Sequence, residues 1–122
     1  VSPAVAVFVG LGSTFGFLAT LGSVVAARAF VHVFWGVLGA ILVRRGWPLW
    51  AALVVTLPVH ALGEALVVLA FGFPVSFAFI QVGVGTALHH TMDAVAAVAV
   101  ARVLGTALAS RALPIEPAVR RR

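Results

Sequence analysis

Four apolar stretches follow one another along the chain, separated by short breaks that carry arginine, tryptophan or proline. The first runs from about Pro3 to Ala27 without a single charge. The second lies between Arg28 and Arg44, over about residues 29–43. It is short for a crossing, but arginine stems at both ends can snorkel to the interfaces. The third covers about residues 47–71, with Trp47 and Trp50 placed as interfacial anchors and Pro58 inside it, where a kink is expected. The fourth starts at Pro74, crosses over about residues 74–101 and stays helical in pattern to 110. A hydrocarbon layer about 30 Å thick takes roughly 20 apolar residues. The pattern therefore predicts an all-α, polytopic transmembrane helical bundle of four spans.

The last stretch is long enough to hold two short crossings that turn near His89 and His90, and the arginines decide between the two. With four spans, Arg44, Arg45, Arg102, Arg111, Arg120, Arg121 and Arg122 share one side, and only Arg28 lies on the other. Five spans would split the Arg44-Arg45 pair from the C-terminal cluster. The positive-inside tendency thus favours four spans with both termini cytoplasmic. Residues 1–113 form the transmembrane domain, and 114–122 a basic cytoplasmic tail near anionic headgroups.

Composition agrees with this reading. Of 122 residues, 63% are hydrophobic and 9% charged, against about 25% charged in soluble domains. A net charge of +5 could attract nucleic acid, but the arginines sit between or after apolar runs, so no nucleic-acid partner is expected. The expected partners are the lipid bilayer and further copies of the chain or a partner membrane subunit. The expected location is the plasma (inner) membrane of a prokaryote. The absence of cysteine excludes disulfides, thiolate metal sites and cysteine nucleophiles. The chain opens on Val1 and so reads as processed or trimmed. Its first apolar run is too long, and lacks the preceding basic residue, for a signal peptide.

Small residues at Gly12 and Gly16, continuing to Thr20, and at Gly36 and Ala40 mark helix faces that allow close packing. Packing within the chain is the first expectation for them, and a dimer interface the second.

Ionisable groups inside a span are functional candidates by default, because each costs several kcal/mol in hydrocarbon. They are His32, His60, Glu64, His89, His90 and Asp93, with Gln81, Thr56 and Arg28 as polar companions. His60 and Glu64 are four apart, as are His89 and Asp93 and also Arg28 and His32, so each pair shares a helix face. At about 1.5 Å rise per residue, His60 and Glu64 lie about 20 and 25 Å up the third span, and His32 about 5 Å below the outer surface. His89, His90 and Asp93 fall in the inner half, which gives two polar tiers about 10 to 15 Å apart. Such groups suit a divalent metal such as zinc, a proton relay or haem iron. They also suit plain hydrogen bonding between helices. Pro58 leaves the Val54 carbonyl without its amide partner, and broken helices beside ionisable groups are a recurrent way to build midplane sites in transporters.

Arg28-Ala-Phe-Val-His32 followed by Gly36 and Gly39, and later Leu88-His89-His90-Thr91-Met92-Asp93, with Val59-His60-Ala61-Leu62-Gly63-Glu64 as a rival, resemble the C-terminal part of the PrsW and CAAX-type intramembrane proteases. The resemblance covers roughly residues 9 to 95. It implies that His32 and one of His89, His90 or His60 help activate water. The adjacent glutamate pair that opens the family's active site has no counterpart here.

No nucleophile elbow or phosphate loop is present. The residues therefore point first to a membrane protein handling a small solute or ion, a proton or a divalent cation, as a transporter or a membrane subunit of one. An intramembrane hydrolase and a non-catalytic structural subunit are the alternatives.

Overall fold

The computed structural model describes residues 2–111, with side chains to 106. The described residues form four helices long and apolar enough to cross a membrane, as the pattern predicts. They are α1, Pro3–Thr20, α2, Ser23–Arg44, α3, Leu49–Ala70, and a fourth span that opens as a π-helix over Phe77–Val84 and continues as α4, Gly85–Arg111. Helix runs unbroken past His89 and His90, so the fourth stretch is one element and not two. The basic tail expected at 114–122 lies outside the described residues.

The first boundary is a correction. An apolar tally carries α1 on to Ala27, but the helix stops at Thr20 and the chain turns at Leu21 and Gly22. Gly22 sits at φ +88°, a conformation that glycine adopts without steric cost. Hydropathy does not register that freedom. The consequence is chemical as much as geometric: α2 gains about two turns and becomes a 22-residue span. Arg28 lies inside it and does not flank it. The turns after α2 and α3 are built alike, with Gly46 and Gly72 at positive φ. In each, the amide beyond the glycine bonds back into the last turn, Trp47 N–H to the Leu42 carbonyl and Phe73 N–H to the Val68 carbonyl. This is the Schellman cap.

The bundle is packed with small and polar groups inside and large apolar groups outside. Ala26, Ala29, Ala40, Ala52, Ala61, Ala65 and Ala78 are buried, as are Thr56, His60, Glu64, Thr86 and His90, while Phe8, Phe15, Leu66, Ile80 and Met92 face outward. Lipid supplies no hydrophobic drive between helices, so close approach through small residues and internal polar bonds take its place. The close approaches are at Gly10 and Gly63. A Cβ on Gly10 would lie 2.7 Å from Val33 Cγ2, and one on Gly63 would lie 2.6 Å from Val31 Cγ1. Gly36 meets Ala6 of α1 as expected, but Gly12 and Gly16 face open space, so the expectation that they pack within the chain is corrected.

Packing proceeds in chain order: α1 on α2, α2 on α3, and α3 on both parts of the fourth span. Among the described residues, the backbones of α1 and α2 do not meet the fourth span. The gap leaves a cavity of about 290 Å³ lined by residues of all four elements, Phe17, Arg28, His32, Glu64, Thr86 and His89 among them.

Candidate functional site

Three helices bring their ionisable groups to one place. α2 supplies Arg28 and His32, α3 supplies Thr56, His60 and Glu64, and α4 supplies Thr86 and His90. His60, Glu64 and His90 are 1%, 5% and 3% exposed, so water does not satisfy them and each must find a partner in the protein.

Glu64 is the hub. Its Oε2 accepts from Arg28 Nε at 2.9 Å, Arg28 Nη2 at 2.6 Å and the Thr86 hydroxyl at 2.9 Å, and its Oε1 lies 3.1 Å from His60 Nε2. His60 then meets His90 through their Nδ1 atoms, 3.0 Å apart. His90 reaches on with Nε2, 2.9 Å from the Leu53 carbonyl, which also accepts the Thr56 hydroxyl. Pro58 lacks the amide that would close the neighbouring turn of α3, one residue beyond the Leu53 carbonyl that His90 reaches. The result is a polar thread from the cavity wall at Arg28, through Glu64, His60 and His90, to the backbone of α3.

His32 borders the thread. Its ring stands edge-on to that of His60 with centroids 4.6 Å apart, and its Nδ1–H donates to the Ala29 carbonyl at 2.9 Å. Trp35 completes the wall, stacked on His60 with centroids 5.1 Å apart and edge-on to His90 at 5.0 Å. Its Nε1–H is buried and has no partner among the described residues.

The two-tier arrangement expected from helical rise is corrected. His90 shares the level of His60, their Nδ1 atoms 3.0 Å apart, and the π-helical start of the fourth span contributes to this. Its i→i+5 bonding spends more residues per turn and advances less per residue. His32 is also deeper than expected, nine residues into α2 once that helix starts at Ser23. His89 and Asp93 pair with each other at 3.1 Å, but on the outer face, both side chains 65% exposed. His89 borders the cavity without joining the thread, and Gln81 is exposed on the π-helical segment. Thr86 and Trp35 belong to the site and were missed. Thr86 lies four residues before His90 on the same face, which was the available signal.

His32, His60 and Glu64 offer one ligand atom each within 4.8 Å of one another, the donor types a divalent metal takes. The arrangement found does not fit one. Glu64 Oε2 is spent on three donors, its charge is met by the Arg28 guanidinium, and both ring nitrogens of His60 are engaged. A divalent ion would have to displace the contacts of His60 with Glu64 and His90 and sit against the Arg28 guanidinium. No protein-family model, no curated protein and no solved structure matches the chain.

Proposed function

We propose that this chain is a proton-handling subunit of membrane transport, with the Arg28–Glu64–His60–His90 thread as the group that takes up and releases the proton. One observation carries the reading: a continuous chain of ionisable side chains joins three spans, from the part-exposed Arg28 through the buried Glu64, His60 and His90, where a purely structural role could be filled at far lower cost by apolar residues. The thread starts at a cavity of about 290 Å³, which gives protons or a small solute an approach between α2 and the fourth span. The unclosed gap on that side favours completion of the pathway by a second copy or a partner membrane subunit. The reading places the protein in a prokaryotic plasma membrane, with the arginine-rich ends on the cytoplasmic side.

Full-length chain in liposomes loaded with a pH-sensitive dye tests it. Wild type should dissipate an imposed pH gradient, with the potential clamped, at least tenfold faster than Glu64→Gln or His60→Gln. A wild-type rate equal to that of empty liposomes would overturn the reading.

The meeting of His32 with His60 beside the cavity favours an intramembrane hydrolase of the PrsW and CAAX-type kind as the second reading, with an imidazole as general base toward water. Cleavage of membrane-anchored peptides, lost in His32→Ala and His60→Ala, would select it.

A further inference from the structure

Donor and acceptor bookkeeping along the thread fixes how many protons it holds. Both of its ends are acceptors. At one end the Leu53 carbonyl can only accept, so His90 Nε2, 2.9 Å away, must carry a hydrogen. At the other end three donors converge on Oε2 of Glu64, and the Arg28 guanidinium among them, always charged, takes Glu64 as its carboxylate counter-ion. Its Oε1 therefore also accepts, and His60 Nε2, 3.1 Å away, must carry a hydrogen as well. Between the rings the two Nδ1 atoms stand 3.0 Å apart, a hydrogen-bond distance that needs one hydrogen. Two would collide, and none would set two lone pairs against each other.

The sum is three hydrogens on four ring nitrogens. Two neutral imidazoles supply only two. We infer that His60 and His90 form a proton-binding pair that holds one proton beyond two neutral rings, shared between the two Nδ1 atoms and carrying one positive charge for the pair. The surroundings suit that charge. The Glu64 carboxylate faces His60, the Leu53 carbonyl faces His90, and the stacked face of Trp35 lies against His60, the ring face being the negative side of an aromatic. The opposing cation is Arg28, whose charge is spent on Glu64 Oε2. The other titratable groups nearby are His32, whose own ring hydrogen goes to Ala29, and His89 and Asp93, which pair with each other on the outer face.

The pair is symmetric at the shared bond. Moving its proton from one Nδ1 to the other shifts the positive charge between α3 and α4 without breaking any contact. It needs no rotation of either ring. This deepens the proton-handling reading by naming the atoms that hold the proton, and it rests on that reading only for its purpose.

Ring-nitrogen NMR of the full chain in lipid bilayers near neutral pH tests the count. With nitrogen-15 histidine in the double variant His32→Gln/His89→Gln, the pair's four nitrogens are the only ones labelled on a ring, and protonated and bare nitrogens resonate far apart. The expected result is three protonated and one bare, with a coupling between the two Nδ1 nitrogens across the hydrogen bond. Two bare nitrogens, or none, would overturn the inference. Subtracting each single variant from wild type gives the same count if the double variant does not fold. The count is static, so it can fail while gradient dissipation succeeds, or succeed while dissipation fails.

Discussion

Arg28 reaches from α2 to place two of its nitrogens on a single oxygen, Oε2 of Glu64 on α3, at 2.9 and 2.6 Å. The geometry is not the two-pronged fork in which each nitrogen takes its own oxygen. It leaves Oε1 free for His60, so one carboxylate serves the arginine and the histidine thread together. The guanidinium side chain is 33% exposed and opens on the cavity, whereas that of Glu64 is 7% exposed.

That asymmetry predicts unequal effects of breaking the pair. Arg28→Met strands a buried carboxylate and should cost about 3 kcal/mol of resistance to unfolding, the low end for a broken buried pair because Arg28 itself is partly open. Arg28→Met combined with Glu64→Gln removes the stranded charge and should recover more than half of that loss. Unfolding in mixed micelles of increasing denaturing-detergent fraction measures both. A double variant weaker than Arg28→Met alone would show that the pair does not behave as a charge pair.

Most of the architecture was legible in the chain because membrane spans announce themselves by length and apolarity alone. Trp47 and the arginines marked breaks between the spans and favoured four over five, and His60 with Glu64 announced the centre of the site by their spacing. Two things were not legible. Gly22 ends α1 through its backbone conformation, which hydropathy does not see, and so Arg28 was read as a flank and not as the partner of Glu64. The π-helical start of the fourth span advances less per residue than an α-helical rise assumes, which accounts for part of the distance by which helical rise separates His90 from His60. Both errors concern rise and phase between helices, which a one-dimensional pattern does not encode.

Close packing of α1 on α2 depends on Gly10 and not on the more conspicuous Gly12 and Gly16. A Cβ at position 10 would meet Val33 at both side chain and backbone, 2.7 and 2.9 Å away, and the backbone atom has no rotamer to escape to. Gly10→Ala should therefore cost about 1–3 kcal/mol, in the range of overpacked cores. Gly12→Ala meets nothing within 4 Å and should be neutral or slightly stabilising through helix propensity. The same detergent titration ranks the two, and equal losses would refute the assignment of the contact.

Trp35 offers a test of a different kind. Its ring walls the thread, but its buried Nε1–H has no partner among the described residues. An unsatisfied buried donor contributes a penalty and no bond. Trp35→Phe keeps an aromatic face and removes that donor, so stability should change by no more than about 1 kcal/mol in either direction. Trp35→Ala empties the space beside His60 and should cost about 3–5 kcal/mol. A large loss in the phenylalanine variant would mean that the indole N–H is bonded after all.

Metal analysis separates the proton reading from the ligand reading at the level of atoms. His32, His60 and Glu64 have the right donor types within 4.8 Å, but Arg28 occupies the carboxylate and His60 commits both of its nitrogens. Tag-free protein in mild detergent should therefore carry less than a tenth of an equivalent of zinc or any other transition metal. The Arg28→Met variant, freed of the guanidinium, should gain affinity for added zinc at least tenfold over wild type, because the cation that holds Glu64 Oε2 has gone. Stoichiometric metal in wild type, lost in His60→Ala, would reverse the assignment and return Glu64, His60 and His32 to the role of ligands. The sharper sign is the direction of the Arg28→Met change: an arginine that merely braces a metal site would weaken zinc binding when removed, and one that replaces a metal would strengthen it.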